Sequence, residues 1–215
     1  MMHGMKTFAL AAVLAATALS AGAATMTSVV ATSTQGVGNT ADVYGAGYGN
    51  NTPVGATWSS DPTVLVPPGN VGGVYQTPFN NTSLQESQSY FSVGAESGDA
   101  GSASPNTLTF AGAGVSVFDI LWGSIDSYNT LSFSNGFSID GTQLAALLGF
   151  GAGPTNYEQV ALVHFAFDTA VTSATFTSTS AAFEFALAPV PVPAGGLLLL
   201  GAMGGLAALR RRKAV

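Results

Sequence analysis

The densest polar constellation in the chain is Trp122-Gly123-Ser124-Ile125-Asp126-Ser127-Tyr128-Asn129, followed by the apolar positions Leu131 and Phe133. Two chemistries suit it. Asp126, Ser127 and Asn129 can close an Asx-type turn, each side chain accepting a backbone N–H, with Trp122 and Tyr128 packed over the corner. Alternatively, Asp126, the Asn129 amide oxygen and a third carboxylate such as Glu184 could hold Ca²⁺, a hard cation that takes oxygen ligands. No EF-hand spacing or other calcium-loop pattern accompanies these residues, so the turn is preferred. No cofactor is expected, with Ca²⁺ the one alternative.

Three other acids, Asp119, Glu158 and Asp168, raise the question of paired carboxylates for glycoside hydrolysis, but that chemistry depends on a separation the sequence does not fix. His164 is the only histidine beyond the N-terminal stretch. It cannot build a multi-His zinc site, and no Gly-x-Ser-x-Gly elbow accompanies it for a triad. A strand histidine satisfied by a backbone carbonyl is the ordinary expectation. The chain has no cysteine, which removes thiol catalysis, Cys-ligated zinc and iron–sulfur chemistry. These residues point to a protein that is not an enzyme, with a carbohydrate-active hydrolase or carbohydrate-binding module using body carboxylates as the alternative.

The elements that must position these side chains are strands. Segments 107–110, 115–122, 130–133, 136–139, 160–167, 173–176 and 182–187 are short, β-branched or aromatic, and are joined mostly by Gly, Asn, Asp or Ser. In segment 160–167, Ala161, Val163, Phe165 and Phe167 share one face, with Val160, Leu162 and His164 on the other. Both faces are fairly apolar, as in a central strand of a two-layer sandwich. One or two helical turns are expected over 141–149, where Thr142-Gln143-Leu144-Ala145-Ala146-Leu147-Leu148 has little β-branching. The first half, 25–104, is rich in Gly, Thr, Ser, Asn and Pro. It offers weaker strand candidates at 41–46, 71–76 and 87–93 among turn clusters such as Pro67-Pro68-Gly69-Asn70. The expected fold is all-β: an antiparallel β-sandwich of jelly-roll type.

Charge says where such a body works. The five Lys and Arg residues are Lys6, Arg210, Arg211, Arg212 and Lys213, whereas all eleven Asp and Glu lie between them. Positive charge at both extremes fits a positive-inside arrangement with the body translocated. A body with acids and no Lys or Arg cannot neutralise phosphates, so nucleic-acid binding is excluded, as is adhesion to anionic lipid through a basic patch. Residues 1–23 read as a secretory signal peptide: Lys6, an apolar run 8–19, and a small-residue cleavage site Ala21-Gly22-Ala23. A domain over 24–189 follows. At 190–215, Val190-Pro191-Val192-Pro193-Ala194 leads into a Gly/Leu-rich apolar run and the basic stop Arg210-Arg211-Arg212. If helical at ~1.5 Å per residue, the run spans about 22 Å, short of the roughly 30 Å hydrocarbon core unless the arginines snorkel.

That C-terminal arrangement resembles the VPLPA-type variant of the PEP-CTERM sorting signal, with Val192 where leucine is usual. The resemblance implies processing by exosortase, a membrane-embedded cysteine protease of transpeptidase type. The body would be exported through the Sec translocon, held briefly at the inner membrane by the C-terminal transmembrane helix, then released to the cell surface or outside. The Trp122 to Asn129 run is similar to the Trp-Gly-Ser-x-Asp-x-Tyr-Asn signature of a family of exosortase-dependent surface proteins. Ala182-Phe183-Glu184 fits a second family segment, although Ala186 and Leu187 stand where Asp-Asn is usual. The function implied is a structural or adhesive role in biofilm or exopolysaccharide, with exopolysaccharide as partner.

Overall fold

The computed structural model describes residues 12–14, 25–33, 47–65, 70–71, 74–79, 87–94, 104–150 and 159–188. Their elements, in chain order, are β1 (Ala12–Leu14), β2 (Met26–Ser33), β3 (Thr57–Trp58), β4 (Thr63–Leu65), β5 (Tyr90–Val93), β6 (Asn106–Thr109), β7 (Val115–Trp122), β8 (Asn129–Phe133), β9 (Ser138–Asp140), α1 (Gly141–Leu147), β10 (Ala161–Val171), β11 (Ser173–Ser178) and β12 (Phe183–Leu187). They form two antiparallel sheets, ordered β1-β2-β10-β7-β12-β5-β4 and β3-β6-β11-β8-β9. The all-β expectation holds, with one short helix. The C-terminal span expected over 190–215 lies outside the described residues, as do candidate strand 41–46 and Glu158. Among the described residues no helix is long and apolar enough to cross a bilayer. Within the expected signal peptide only Ala12–Leu14 is described, paired antiparallel with β2.

Alternation makes the core. In β10 the residues Ala161, Val163, Phe165 and Phe167 are buried, as the period-two pattern requires, and β7 contributes Phe118, Ile120 and Trp122 from alternate positions. The two sheets meet through aromatic rings. Phe176 of β11 stacks on Phe185 of β12 with centroids 4.0 Å apart, and Trp58 of β3 lies 5.3 Å from Phe91 of β5. Each fully buried phenylalanine stabilises the fold by about 1.5–3 kcal/mol, so this ring layer holds the sheets together without disulfides.

The second half follows its sequence pattern closely, whereas the first half departs from it. In segment 71–76 the described residues form no named strand: Val71 and Tyr75 exchange backbone bonds at 2.9 Å and 3.1 Å as an isolated bridge, and a loop over 74–79 follows with Thr77, Pro78 and Phe79 buried. This loop covers the outer face of the larger sheet, where Leu65, Phe79, Tyr90, Leu121, Val160 and Ala186 form a second, smaller apolar cluster. The turn from β9 into α1 is a capping box: Asp140 Oδ1 accepts from the Gln143 N–H at 2.8 Å, and Gln143 Oε1 accepts from the Asp140 N–H at 2.9 Å.

Candidate functional site

The corner between β7 and β8 is where the polar residues converge. β7 leaves its sheet at Trp122, the chain turns through Ser124 in a left-handed conformation (φ 45°), and β8 starts in the other sheet at Asn129. A non-glycine residue there stores strain of roughly 1–3 kcal/mol, which the surrounding bonds must offset. The Asp126 N–H donates to Ser124 O at 2.7 Å and the Asn129 N–H to Asp126 O at 3.0 Å. Glycine is required at two positions here by close approach. A Cβ on Gly123 would lie 2.9 Å from Pro78 Cβ, and one on Gly141, the first residue of α1, 2.0 Å from Asp126 O. Loop, corner and helix are therefore packed backbone against backbone.

Asp126, Asn129 and Glu184 do come together, and all three are buried, at 1%, 0% and 2% exposure. The Asn129 side chain is used differently from the expected Asx turn. The Asn129 amide donates to Ser124 O at 3.2 Å and Ala182 O at 3.1 Å, while its Oδ1 accepts from the Ser178 hydroxyl at 2.7 Å. It ties the corner to the β11–β12 connection and to the end of β11. Asp126 Oδ2 accepts from the Tyr128 hydroxyl at 2.9 Å, and that hydroxyl also reaches Ala181 O at 3.2 Å. Trp122 does not lie over the corner; it is turned inward against Phe183, with centroids 4.5 Å apart.

Glu184 lies on the outer face of β12, under the 74–79 loop. Its Oε1 accepts from the Gln76 N–H at 2.8 Å, and its Oε2 is buried with no hydrogen-bond partner. Burial raises the Glu184 carboxyl to about 8, opposed in part by the Gln76 N–H and reinforced by the negative charge of Asp126. At neutral pH Glu184 is therefore mostly a neutral acid inside the protein. Tyr90, fully buried, is pushed upward by burial and then by the charge of Glu184 and the proximity of Tyr75. For a Ca²⁺ ion the donor set is short. Such an ion takes six to eight oxygens, whereas the oxygens of this trio are largely engaged by Tyr128, Ser178 and Gln76. Among the described residues no three of His, Asp and Glu converge as a metal cluster.

A second arrangement, missed by sequence reasoning, lies on the same outer face. His164 of β10 and Asp119 of β7 are directly opposite in the ladder, with Nδ1 2.6 Å from Oδ1. The partner is a carboxylate and not the backbone carbonyl expected. Both residues sit on outward positions of readable strands, but only the register pairs them. Tyr48 lies near this pair, its phenol raised by burial and then by the charge of Asp119. Asp168 is elsewhere and exposed: its Oδ1 accepts from the Thr25 N–H at 2.7 Å, which holds the carboxyl below its usual range. Asp119 and Asp168 are thus engaged by different partners.

Comparison of the chain with family models, with curated proteins and with solved structures gives no match.

Proposed function

We propose that the chain is an exported bacterial surface or matrix protein, delivered by exosortase processing and structural or adhesive in exopolysaccharide. The observation that carries this reading is the confinement of every Lys and Arg to residue 6 and residues 210–213, flanking a body that holds all eleven acids. The Pro-Val-Pro motif and basic stop supply the sorting signal, through Val190, Pro191, Val192, Pro193, Ala194 and the arginines 210 to 212. On this reading Ala12–Leu14 leave with the signal peptide and β2 becomes the outer strand of its sheet. The sandwich topology is that of a jelly-roll variant. The Asp126–Asn129–Glu184 corner fastens the two sheets and takes no part in turnover, and its buried acids favour a structural role over hydrolysis.

The test is export in a host carrying exosortase. The full chain is expected to be shortened at its C-terminus and recovered at the surface, and removal of residues 195–215 to leave it unprocessed and mislocalised. Unaltered delivery of the truncated chain overturns the sorting reading. Purified protein is expected to retain exopolysaccharide without releasing reducing sugar. Release abolished by a single Asp→Asn change would establish the hydrolase instead.

A further inference from the structure

On the export reading, β2 is the strand whose outer neighbour leaves. Residues 12–14 lie along it antiparallel, with Ala12 opposite Ala31, Val13 opposite Val30 and Leu14 opposite Val29. Alternation along each ladder fixes which backbone groups face that neighbour. The Gly123 N–H donates to Glu184 O, so the odd-numbered residues of β7 address β12 and the even-numbered ones address β10. Ile120 pairs with Val163 and Phe118 with Phe165, which turns the odd-numbered residues of β10 to β7 and its even-numbered ones to β2. His164 lies opposite Val30, and Leu162 opposite Thr32. Val30 and Thr32 therefore bond inward, whereas Val29 and Ala31 turn N–H and C=O outward, to the seat that Ala12–Leu14 hold.

That seat fits a second copy of β2. Met-Thr-Ser-Val-Val-Ala-Thr-Ser reads nearly alike in both directions about Val30. Turned antiparallel about that residue, the same strand of another molecule sets Val29 opposite Ala31, Ser28 opposite Thr32 and Thr27 opposite Ser33. Its Val-Val-Ala then takes the places of Ala-Val-Leu, in the same register and with residues of the same kind. Outward positions meet outward positions, so residues 29 and 31 of each copy exchange both backbone bonds with 31 and 29 of the other. Natural sheets blunt an exposed edge with lysine, proline or an inward-pointing charge. Met26–Ser33 contains no charged residue, no proline and no glycine. Val29 is 1% exposed, so the core holds this edge in its extended form.

We propose that residues 27–33 join two copies of the chain, antiparallel about Val30, and that Ala12–Leu14 keep this edge closed until residues 1–23 are removed. The pairing rests on the loss of those residues under the export reading above. A two-fold axis at Val30 uses the same edge on both molecules and gives a closed dimer. One strand edge is a small contact, so pairing is weak in dilute solution and favoured where copies are crowded, as at a surface or in a matrix. Two joined bodies present each adhesive surface twice, and the leader delays assembly until translocation is complete.

The chain has no cysteine, so a single introduced thiol reports the register. The Cα atoms of an antiparallel pair without hydrogen bonds lie about 4.5 Å apart, which a disulfide spans. The full chain is held in detergent micelles with oxidised glutathione, with a site-specific protease sequence in place of residues 20–23. Cleavage and removal of the released peptide should speed disulfide dimerisation of Val30→Cys about tenfold or more. Thr27→Cys should gain nothing, because the register puts each residue 27 opposite residue 33, roughly 20 Å from its counterpart. Adding Ala31→Pro, which deletes an outward N–H that an edge strand can spare, should abolish the gain at Val30→Cys. Mixed Ser28→Cys and Thr32→Cys chains give the same readout if Val30→Cys does not fold. Equal cross-linking at positions 30 and 27, or a Val30→Cys rate unchanged by cleavage, overturns the proposal. Pairing after cleavage in the micelle, with residues 1–23 still attached to the chain recovered from the export host, would sink the export reading alone.

Discussion

The larger sheet carries two sets of acids in opposite surroundings. On the corner side, Asp126 and Glu184 are closed off from water, and Glu184 is held mostly protonated by burial at about 8. Farther along the same outer face as Glu184, Asp119 meets His164 with about a third of its side chain exposed, and Asp168, elsewhere, is open to solvent. The same side-chain chemistry is a structural fastening in the first place and a surface ornament in the second. What decides is the cover: the 74–79 loop lies over Glu184, while water reaches Asp119 and His164. Substitutions at the covered corner should therefore cost several times more than substitutions at the uncovered positions.

Asn129→Ala should give the largest effect. It removes three buried hydrogen bonds at once, to Ser124 O, Ala182 O and the Ser178 hydroxyl, each worth about 0.5–1.5 kcal/mol, while Ser124 O keeps the Asp126 N–H and the Ser178 hydroxyl keeps Ser180 O. A loss on the order of 3 kcal/mol or more is expected by urea unfolding, and a loss below ~1 kcal/mol would break the contrast. Gly141→Ala should come next, and its sign is diagnostic. In an independent helix alanine would be favoured by ~1 kcal/mol. Here the new Cβ would sit 2.0 Å from Asp126 O, so overpacking by roughly 1–3 kcal/mol should prevail. A gain in stability would mean that α1 is not pressed against the corner.

Glu184→Gln sharpens the comparison through pH. The carboxyl is raised from its ordinary value of 4.5 to about 8 in the folded chain, so the folded state holds the proton over that interval while the unfolded chain releases it. Its contribution is fully present below about pH 4.5 and is lost as pH rises through about 8. Melting temperature should fall across this window in the parent, by an amount corresponding to a few kcal/mol at most, and much less in Glu184→Gln. The variant should then be the more stable of the two at about pH 9. Parallel profiles would show that Glu184 is not the titrating group. Millimolar Ca²⁺ at the same pH tests the cation alternative in the same samples, since a bound ion would raise the melting temperature of the parent and not of the variant.

How much of this could be read from residues alone follows the same division. β7 was legible to its bounds because Val-Ser-Val-Phe-Asp-Ile-Leu-Trp alternates on a half-buried strand, and the short helix because a run with little β-branching follows Asp140. β2, β3 and β4 were not: the first is a Ser/Thr-rich strand in a Ser/Thr-rich region, and the others are two or three residues long. Their pairing is set by partners distant in sequence. Asp126, Asn129 and Glu184 are grouped in the sequence only as oxygen ligands for a cation, the alternative to the preferred turn, and their burial is not legible there. Within Phe-Glu-Phe-Ala-Leu, alternation directs Glu184 away from the inter-sheet core, and nothing local reveals that another loop closes over it. Likewise, cross-strand register and not motif makes His164 and Asp119 neighbours.

The smallest effect belongs to that last pair, and it bears most directly on the claim that cover decides. His164 and Asp119 approach to 2.6 Å with 43% and 32% of their side chains exposed. Short distance alone would suggest a strong interaction. Solvent screening and the entropy of holding surface side chains argue otherwise, and exposed pairs of this kind contribute about 0–1 kcal/mol. A double-mutant cycle of Asp119→Asn and His164→Gln should therefore give a coupling below ~1 kcal/mol, diminished further in about 1 M salt, where the screening length is about 3 Å. A coupling above about 2 kcal/mol, insensitive to salt, would place the pair in the same regime as Glu184. It would also mean that Tyr48 and its neighbours shield the pair from water more completely than its exposure indicates.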